Sequence, residues 1–205
     1  MPLESSAFIE PGGAVGPTGP AGPTGPAGPT SVDGVNPPPS ILDWIVNGQA
    51  VALDRYNAGA AYTVGSEHVV HQRVAGVVRR VLGLKMRAVV SGSETYALSL
   101  WDFAGVLHET KSVVATSNGE WSITFTTPFQ PLLNAPFRIG MSNTTNPNFY
   151  TRISGATSGR DFNTAVMAGG CRVTFAIFYA TGASTRPSST TGTERYPLEP
   201  IWEVL

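Results

Sequence analysis

The chain has 205 residues, only 13% of them charged, and a formal net charge of −1. This small and balanced charge gives no electrostatic basis for binding nucleic acid or an anionic membrane. Cys171 is the only cysteine, which excludes an intrachain disulfide and a thiolate metal cluster. The N-terminus lacks the basic and apolar regions of a secretion signal, and no apolar run is long enough to span a bilayer. The composition therefore predicts a soluble protein.

Residues 1–12 form a short peptide that precedes a repeat. The peptide carries the large apolar residues Leu3, Phe8 and Ile9, which an exposed tail has little reason to keep. It is too short to fold alone. The sequence therefore predicts either a disordered tail or an anchor peptide that docks on another protein.

Glycine recurs at every third position through residues 13–30, and proline follows all but the first of these glycines. The glycines are Gly13, Gly16, Gly19, Gly22, Gly25 and Gly28. When three polyproline II chains wind together, every third residue faces the common axis, where only glycine fits. A proline-rich linker in a single chain needs no glycine at a fixed phase. The period therefore predicts a collagen-like triple helix, and with it a homotrimer.

The predicted triple helix is a short stalk. At about 3.1 Å per residue its eighteen residues span about 55 Å. The third position of each repeat holds valine, threonine or alanine, so it contributes no hydroxyproline. We therefore expect the C-terminal domain to trimerise and to hold the three stalks in register.

A neck and a globular head are predicted to follow the stalk. Residues 31–39 end in three consecutive prolines, which keep a chain extended. Asn47-Gly48 lies between apolar stretches, a pattern typical of a two-residue β-hairpin. The head is predicted to occupy residues 40–205, long enough for one domain with a real core.

Alternating apolar and polar residues predict successive β-strands from Val77 onward. The predicted apolar faces comprise Leu84, Met86, Ala88 and Val90; Tyr96, Leu98 and Leu100; Trp121, Ile123 and Phe125; and Val173, Phe175, Ile177 and Tyr179. Further strands are predicted at 107–114 and 137–142, with turns at 91–93, 103–105 and 117–119. Short strands separated by glycine turns predict an all-β head, a jelly-roll-like β-sandwich.

The later part of the chain gives weaker signals. Residues 143–168 are predicted as a long loop region with at most one brief strand, at 149–153. Cys171 is predicted to begin a strand as a buried small hydrophobe rather than as a reactive thiol. The tail, residues 195–205, is rich in apolar residues, so we expect it to pack against the head or a neighbouring subunit.

The sequence predicts no catalytic, metal or cofactor site. His68 and His71 are three residues apart, which places them on opposite faces of a strand, and they lack the helical spacing of zinc proteases. The carboxylates, Glu94 among them, are scattered and several lie at predicted turns, where solvated side chains are expected, so the carboxylate pair of a glycosidase is not predicted. Trp101 lies on the more polar side of its strand and is the candidate contact for a subunit interface or a glycan.

Two predicted strands that contain tryptophan resemble part of a known β-sandwich module. Leu98-Ser99-Leu100-Trp101, the turn glycine Gly105 and Gly119-Glu120-Trp121-Ser122 have an order similar to a β-sandwich module of unassigned function. That module occurs in bacterial surface and carbohydrate-associated proteins. The resemblance covers residues 80–128 and implies a jelly-roll-like sandwich without assigning a ligand.

The whole layout resembles collagen-containing bacteriophage fibre and head-decoration proteins. The resemblance implies that residues 1–12, through Leu3, Phe8 and Ile9, bind the major capsid protein or another virion protein. It implies that the triplets are a spacer and that the head projects from the virion surface, with weak glycan binding as a further role. The Gly-Pro-Thr run also resembles the spore-surface collagen-like glycoproteins of bacilli, which usually have longer repeats. We therefore expect a trimeric head fibre without enzyme activity, and the alternative is a receptor-binding tail-fibre tip or a bacterial surface adhesin.

Overall fold

A computed structural model describes a large part of the predicted head. The described residues are 52–70, 80–154, 164–166, 171–182, 185–190 and 196–203. The predicted anchor peptide, stalk, neck and Asn47-Gly48 hairpin lie outside these ranges.

The described residues are folded entirely as β-strands, turns and connecting segments. Their strands are β1 (Ala52–Asn57), β2 (Tyr62–Val70), β3 (Val81–Ala88), β4 (Glu94–Trp101), β5 (Leu107–Ala115), β6 (Gly119–Phe129), β7 (Pro136–Asn143), β8 (Phe149–Ser154), β9 (Thr164–Val166), β10 (Cys171–Thr181), β11 (Ser189–Thr190) and β12 (Leu198–Trp202). The predicted all-β class is confirmed for this part of the chain.

The strands form three antiparallel sheets. The largest has the order β11-β10-β2-β7-β4-β5, and β9 pairs with β10 as well. The second has the order β12-β3-β6, and the third consists of β1 and β8. This set of antiparallel sheets is consistent with a β-sandwich.

One hydrophobic core joins the sheets. Leu84 and Met86 of β3, and Leu98 of β4, are fully buried members of this core. Phe137 of β7 connects the sheets, because its ring lies 5.4 Å from that of Phe129 in β6 and 6.0 Å from that of Trp202 in β12. The alternation read from the sequence thus selects the residues that pack between the sheets.

Strand β12 contains most of the described tail. It pairs with β3, with Leu198 opposite Met86 and Pro200 opposite Leu84. Leu198 is buried in the core. The prediction that the tail packs against the head is confirmed over the described residues 196–203.

Strands β5 and β6 form a corner, because the turn at 117–119 connects them but they belong to different sheets. Side chains of β5 reach the backbone of β6: Lys111 Nζ donates to Thr124 O at 2.7 Å, and Glu109 Oε2 accepts from Thr126 N at 2.9 Å. These bonds use backbone groups of β6 on the side away from β3, which would otherwise form an open sheet edge.

The sequence predicted the turns but not every strand. Strand β2 was not predicted, because Gly65, Ser66 and Glu67 interrupt its alternation. Gly65 is required there, since a Cβ at this position would lie 2.2 Å from the carbonyl oxygen of Ile139. Strand β9 lies within the region predicted to hold at most one brief strand, beside the confirmed β8. The three predicted glycine turns are confirmed, with φ of 145° at Gly92, 85° at Gly105 and 155° at Gly119.

Candidate functional site

Trp101 ends β4 and is only 3% exposed. The ring is therefore not exposed for either contact considered from the sequence, a subunit interface or a glycan. The alternation places Trp101 on the face of the sheet opposite Leu98 and Leu100, as predicted, but another segment covers that face. A Cβ on Gly140 would lie 2.9 Å from Trp101 Cζ3 and 3.3 Å from Pro187 Cγ. Trp101 and Pro187 thus share the space above Gly140.

His68 lies in β2, is fully buried and stacks on Phe137 with ring centroids 5.2 Å apart. Its Nε2 is 3.4 Å from Ser66 Oγ, and its Nδ1 has no hydrogen-bond partner among the described residues. Burial lowers the pKa of His68 to about 3, so the imidazole is neutral at physiological pH. His71 lies outside the described residues. Within the described ranges, no three histidine, cysteine or carboxylate side chains are grouped so that they could hold a metal ion.

Glu94 is a carboxylate whose environment was predicted wrongly. It lies at the start of β4 and was expected to be a solvated turn residue, but it is only 1% exposed. Its Oε1 accepts from Arg55 Nη2 at 2.6 Å and from Asn146 Nδ2 at 2.9 Å. Its Oε2 accepts from Tyr96 Oη at 3.0 Å and from Asn143 Nδ2 at 2.8 Å.

These bonds decide the ionisation of Glu94. Burial raises its pKa, but hydrogen bonds from Arg55, Tyr96 and Asn146 outweigh burial and hold the pKa below its ordinary value. The carboxylate is therefore ionised at neutral pH and fully engaged by donors. This arrangement occupies both oxygens of Glu94, and it connects β1, β4, β7 and the loop after β7.

The most prominent surface feature is apolar. The large hydrophobic residues Phe103, Val106, Leu107, Leu132 and Leu133 are each between 46% and 63% exposed. We call these five residues the apolar end. Among the residues whose side-chain exposure the structure describes, which do not include 171–178, Val114 is the only other large hydrophobic residue with comparable exposure.

Strand pairing places the apolar end at one end of the largest sheet. In β4, Trp101 pairs with Leu107 of β5 on one side and with Arg138 of β7 on the other. The turn at 102–106 and the loop at 130–135 therefore leave the same end of three adjacent strands. Neighbouring strands are about 4.8 Å apart, so the two segments are close neighbours.

Hydrogen bonds fix the conformation of both segments. Asp102 Oδ1 accepts from Val106 N at 2.8 Å, and Asp102 N donates to Val106 O at 2.9 Å. In the other segment Ala135 N donates to Leu132 O at 3.1 Å, and Asn134 adopts a left-handed conformation with φ of 58°. The apolar side chains are thus displayed by ordered turns.

Sequence reasoning found the first turn but not its exposed apolar side chains. A signal was present, since 103–107 reads Phe-Ala-Gly-Val-Leu and 130–135 reads Gln-Pro-Leu-Leu-Asn-Ala, both without a charged residue. Ordinary loops connecting exposed strand ends are richer in polar residues. Uncharged apolar turns can therefore be recognised from sequence, although their burial cannot.

No protein-family model matches the chain, and no curated protein is significantly similar to it. In the described ranges, no helix has the length and apolar character needed to cross a bilayer.

Proposed function

We propose that the chain is a homotrimeric structural protein of a bacteriophage particle, a head fibre or decoration protein on the capsid. The observation that carries the proposal is the unbroken glycine period over residues 13–30. A collagen triple helix requires glycine at every third position in three chains that run in the same direction, whereas a linker in a single chain has no such requirement. An all-β head with a packed core supports the proposal, because it provides a stable unit at one end of such a stalk.

The three parts have separate roles in this proposal. Residues 1–12 bind a capsid protein through Leu3, Phe8 and Ile9, the triple helix is a spacer, and the head is displayed at the virion surface. Three heads on each spike, and many spikes on each particle, convert weak contacts into avidity. Weak glycan binding by the head belongs to the same proposal, although the buried Trp101 does not supply the contact.

Particle association tests the anchor. A triple variant, Leu3→Glu, Phe8→Glu and Ile9→Glu, should remain trimeric in solution but be lost from purified particles, as followed with an antibody against the head. A matched variant with Ser5→Glu and Ser6→Glu adds charge to the same peptide without removing apolar side chains, and it should stay bound. Detection of the wild-type chain on the host cell surface, and not on particles, would favour the bacterial adhesin instead.

A further inference from the structure

We infer that the apolar end is the surface through which one head contacts the next head of the trimer. The inference rests on the proposed trimer and assigns the contact to Phe103, Val106, Leu107, Leu132 and Leu133.

The chemistry of the apolar end favours a protein partner with an apolar surface. Five large apolar side chains project from residues 103–107 and 130–135, and neither stretch contains a charged residue. Monomeric soluble proteins rarely expose contiguous apolar patches beyond a few hundred square ångströms. The exposure therefore indicates a surface that is covered in the working assembly.

The ordered turns make this surface suitable for specific binding. Asp102 and Val106 exchange hydrogen bonds across the first turn, and Leu132 O accepts from Ala135 N in the second. Turns whose backbone is ordered before association lose less conformational entropy on binding. A frayed loop with the same composition would bind less tightly.

The stalk indicates that the partner bound at the apolar end is a second copy of this chain. Six triplets without hydroxyproline form a short triple helix, so the heads must contribute to holding three chains together. Three heads joined to one stalk meet at an effective concentration on the order of millimolar, at which a modest apolar contact suffices. A threefold ring uses a heterologous contact, so the apolar end of each head meets a different patch on its neighbour.

The edge of the apolar end is charged. The Arg186 guanidinium lies beside Gly105, where an added Cβ would be 2.5 Å from its Nη1. Arg138 lies on β7 and pairs with Glu67, with Nε and Oε2 3.0 Å apart. An apolar centre with a charged periphery is the usual anatomy of a protein–protein interface.

The test compares two full-length variants by sedimentation equilibrium. Leu132→Glu with Leu133→Glu places two charges in the apolar end, and it should raise the protein concentration needed for trimer formation by about tenfold or more. Val114→Glu is the matched control and should leave assembly unchanged. Val114 is equally exposed but pairs with Thr95, about 23 Å along β5 from Leu107.

Near-ultraviolet circular dichroism must show that both variants keep a packed head. A wild-type trimer whose Leu132→Glu, Leu133→Glu variant assembles equally well would overturn the inference and leave the proposed function intact. A monomeric wild type would instead contradict the proposed function. A variant that stays trimeric but loses particle association would show that the apolar end binds another virion protein, which also overturns the inference. If the double variant does not fold, Phe103→Ser provides the same comparison with a smaller change.

Discussion

Glu94 is the residue on which distant parts of the head converge. Arg55 comes from β1, Asn143 from the end of β7 and Asn146 from the loop that follows. Arg55 also stacks on Phe149, with its Cζ 3.6 Å from the ring centroid. A buried charge that is fully paired is tolerated, but removing its partner leaves an uncompensated charge.

Glu94→Gln should therefore destabilise the head by roughly 2–4 kcal/mol in urea denaturation. The amide cannot accept all the donors, and Arg55 loses its counter-ion. Because the folded pKa of Glu94 lies below its unfolded value, the carboxylate stabilises the fold above that unfolded value and less as pH falls through the folded pKa. The variant should lose this part of the acid dependence. Glu120→Gln, an exposed carboxylate near Lys85, should change stability by less than about 1 kcal/mol.

The burial of the His68 imidazole leads to a separate prediction about the stability of the head in acid. The groups near it are Phe137 across the strand pair and Ser66 on its own strand. The neighbouring Glu67–Arg138 ion pair belongs to the opposite face of the sheet. With a folded pKa of about 3 against an ordinary value of 6.5, the unfolded chain binds a proton that the folded chain does not. Stability due to His68 is fully present above pH 6.5 and falls as pH drops toward 3.

The folding equilibrium constant should fall up to about tenfold per pH unit below about pH 6. Thermal or urea unfolding between pH 6.5 and 5 isolates this effect, because most carboxylates remain ionised there. His68→Leu should reduce the dependence of the folding equilibrium constant on pH in that range. His108→Gln, whose imidazole contacts Thr127 O on the surface, should retain it. An unchanged slope in His68→Leu would contradict a buried neutral imidazole.

The segment 185–188 explains why Trp101 of β4 is buried. It crosses the outer face of the largest sheet, where Pro187 is buried near Gly65 and Gly140. These glycines face each other across β2 and β7. Their lack of side chains provides the space in which Pro187 and Trp101 pack.

Gly140→Ala should therefore destabilise the head by about 1–3 kcal/mol through overpacking. The new Cβ would lie 2.9 Å from Trp101 Cζ3 and 3.0 Å from Thr63 Cγ2. Combining it with Trp101→Leu should cost less than the sum of the two single changes, because the leucine removes the ring that is contacted. Ser112→Thr adds one methyl group at an exposed site in the same sheet and should stay within about 0.5 kcal/mol of wild type. Additive costs would show that Trp101 does not pack on Gly140.

Strands were predictable where one face alternates cleanly. The buried residues of β3 and β6 largely follow the period of two, and those of β4 follow it as far as Leu98, beyond which both faces are buried. The glycines of the predicted turns have positive φ. Strand β2 was missed because its glycine is selected by a close approach of Ile139, a long-range contact with no local pattern. The burial of Trp101 and Glu94 was missed for the same reason, since their covering partners are distant in sequence. The exposure of Leu132 and Leu133 likewise depends on which strands end beside them.

The proposed trimer has two separate sources of stability, the stalk and the heads. Gly22→Ala places a Cβ at the predicted axis and should lower the melting temperature of the triple-helical circular dichroism signal. Melting of the β-rich head should be little changed. Thr24→Ala, at an outward position of the same triplet, should leave the stalk signal close to wild type. Equal melting of the two variants would show that Gly22 is not at an axis.

The mass of the full-length chain in solution tests the central claim most directly. Sedimentation equilibrium at micromolar concentration should give three times the chain mass of 21.5 kDa, independent of any assumption about shape. A species with the mass of one chain, in solution and on the particle, would contradict the triple helix and the function proposed from it.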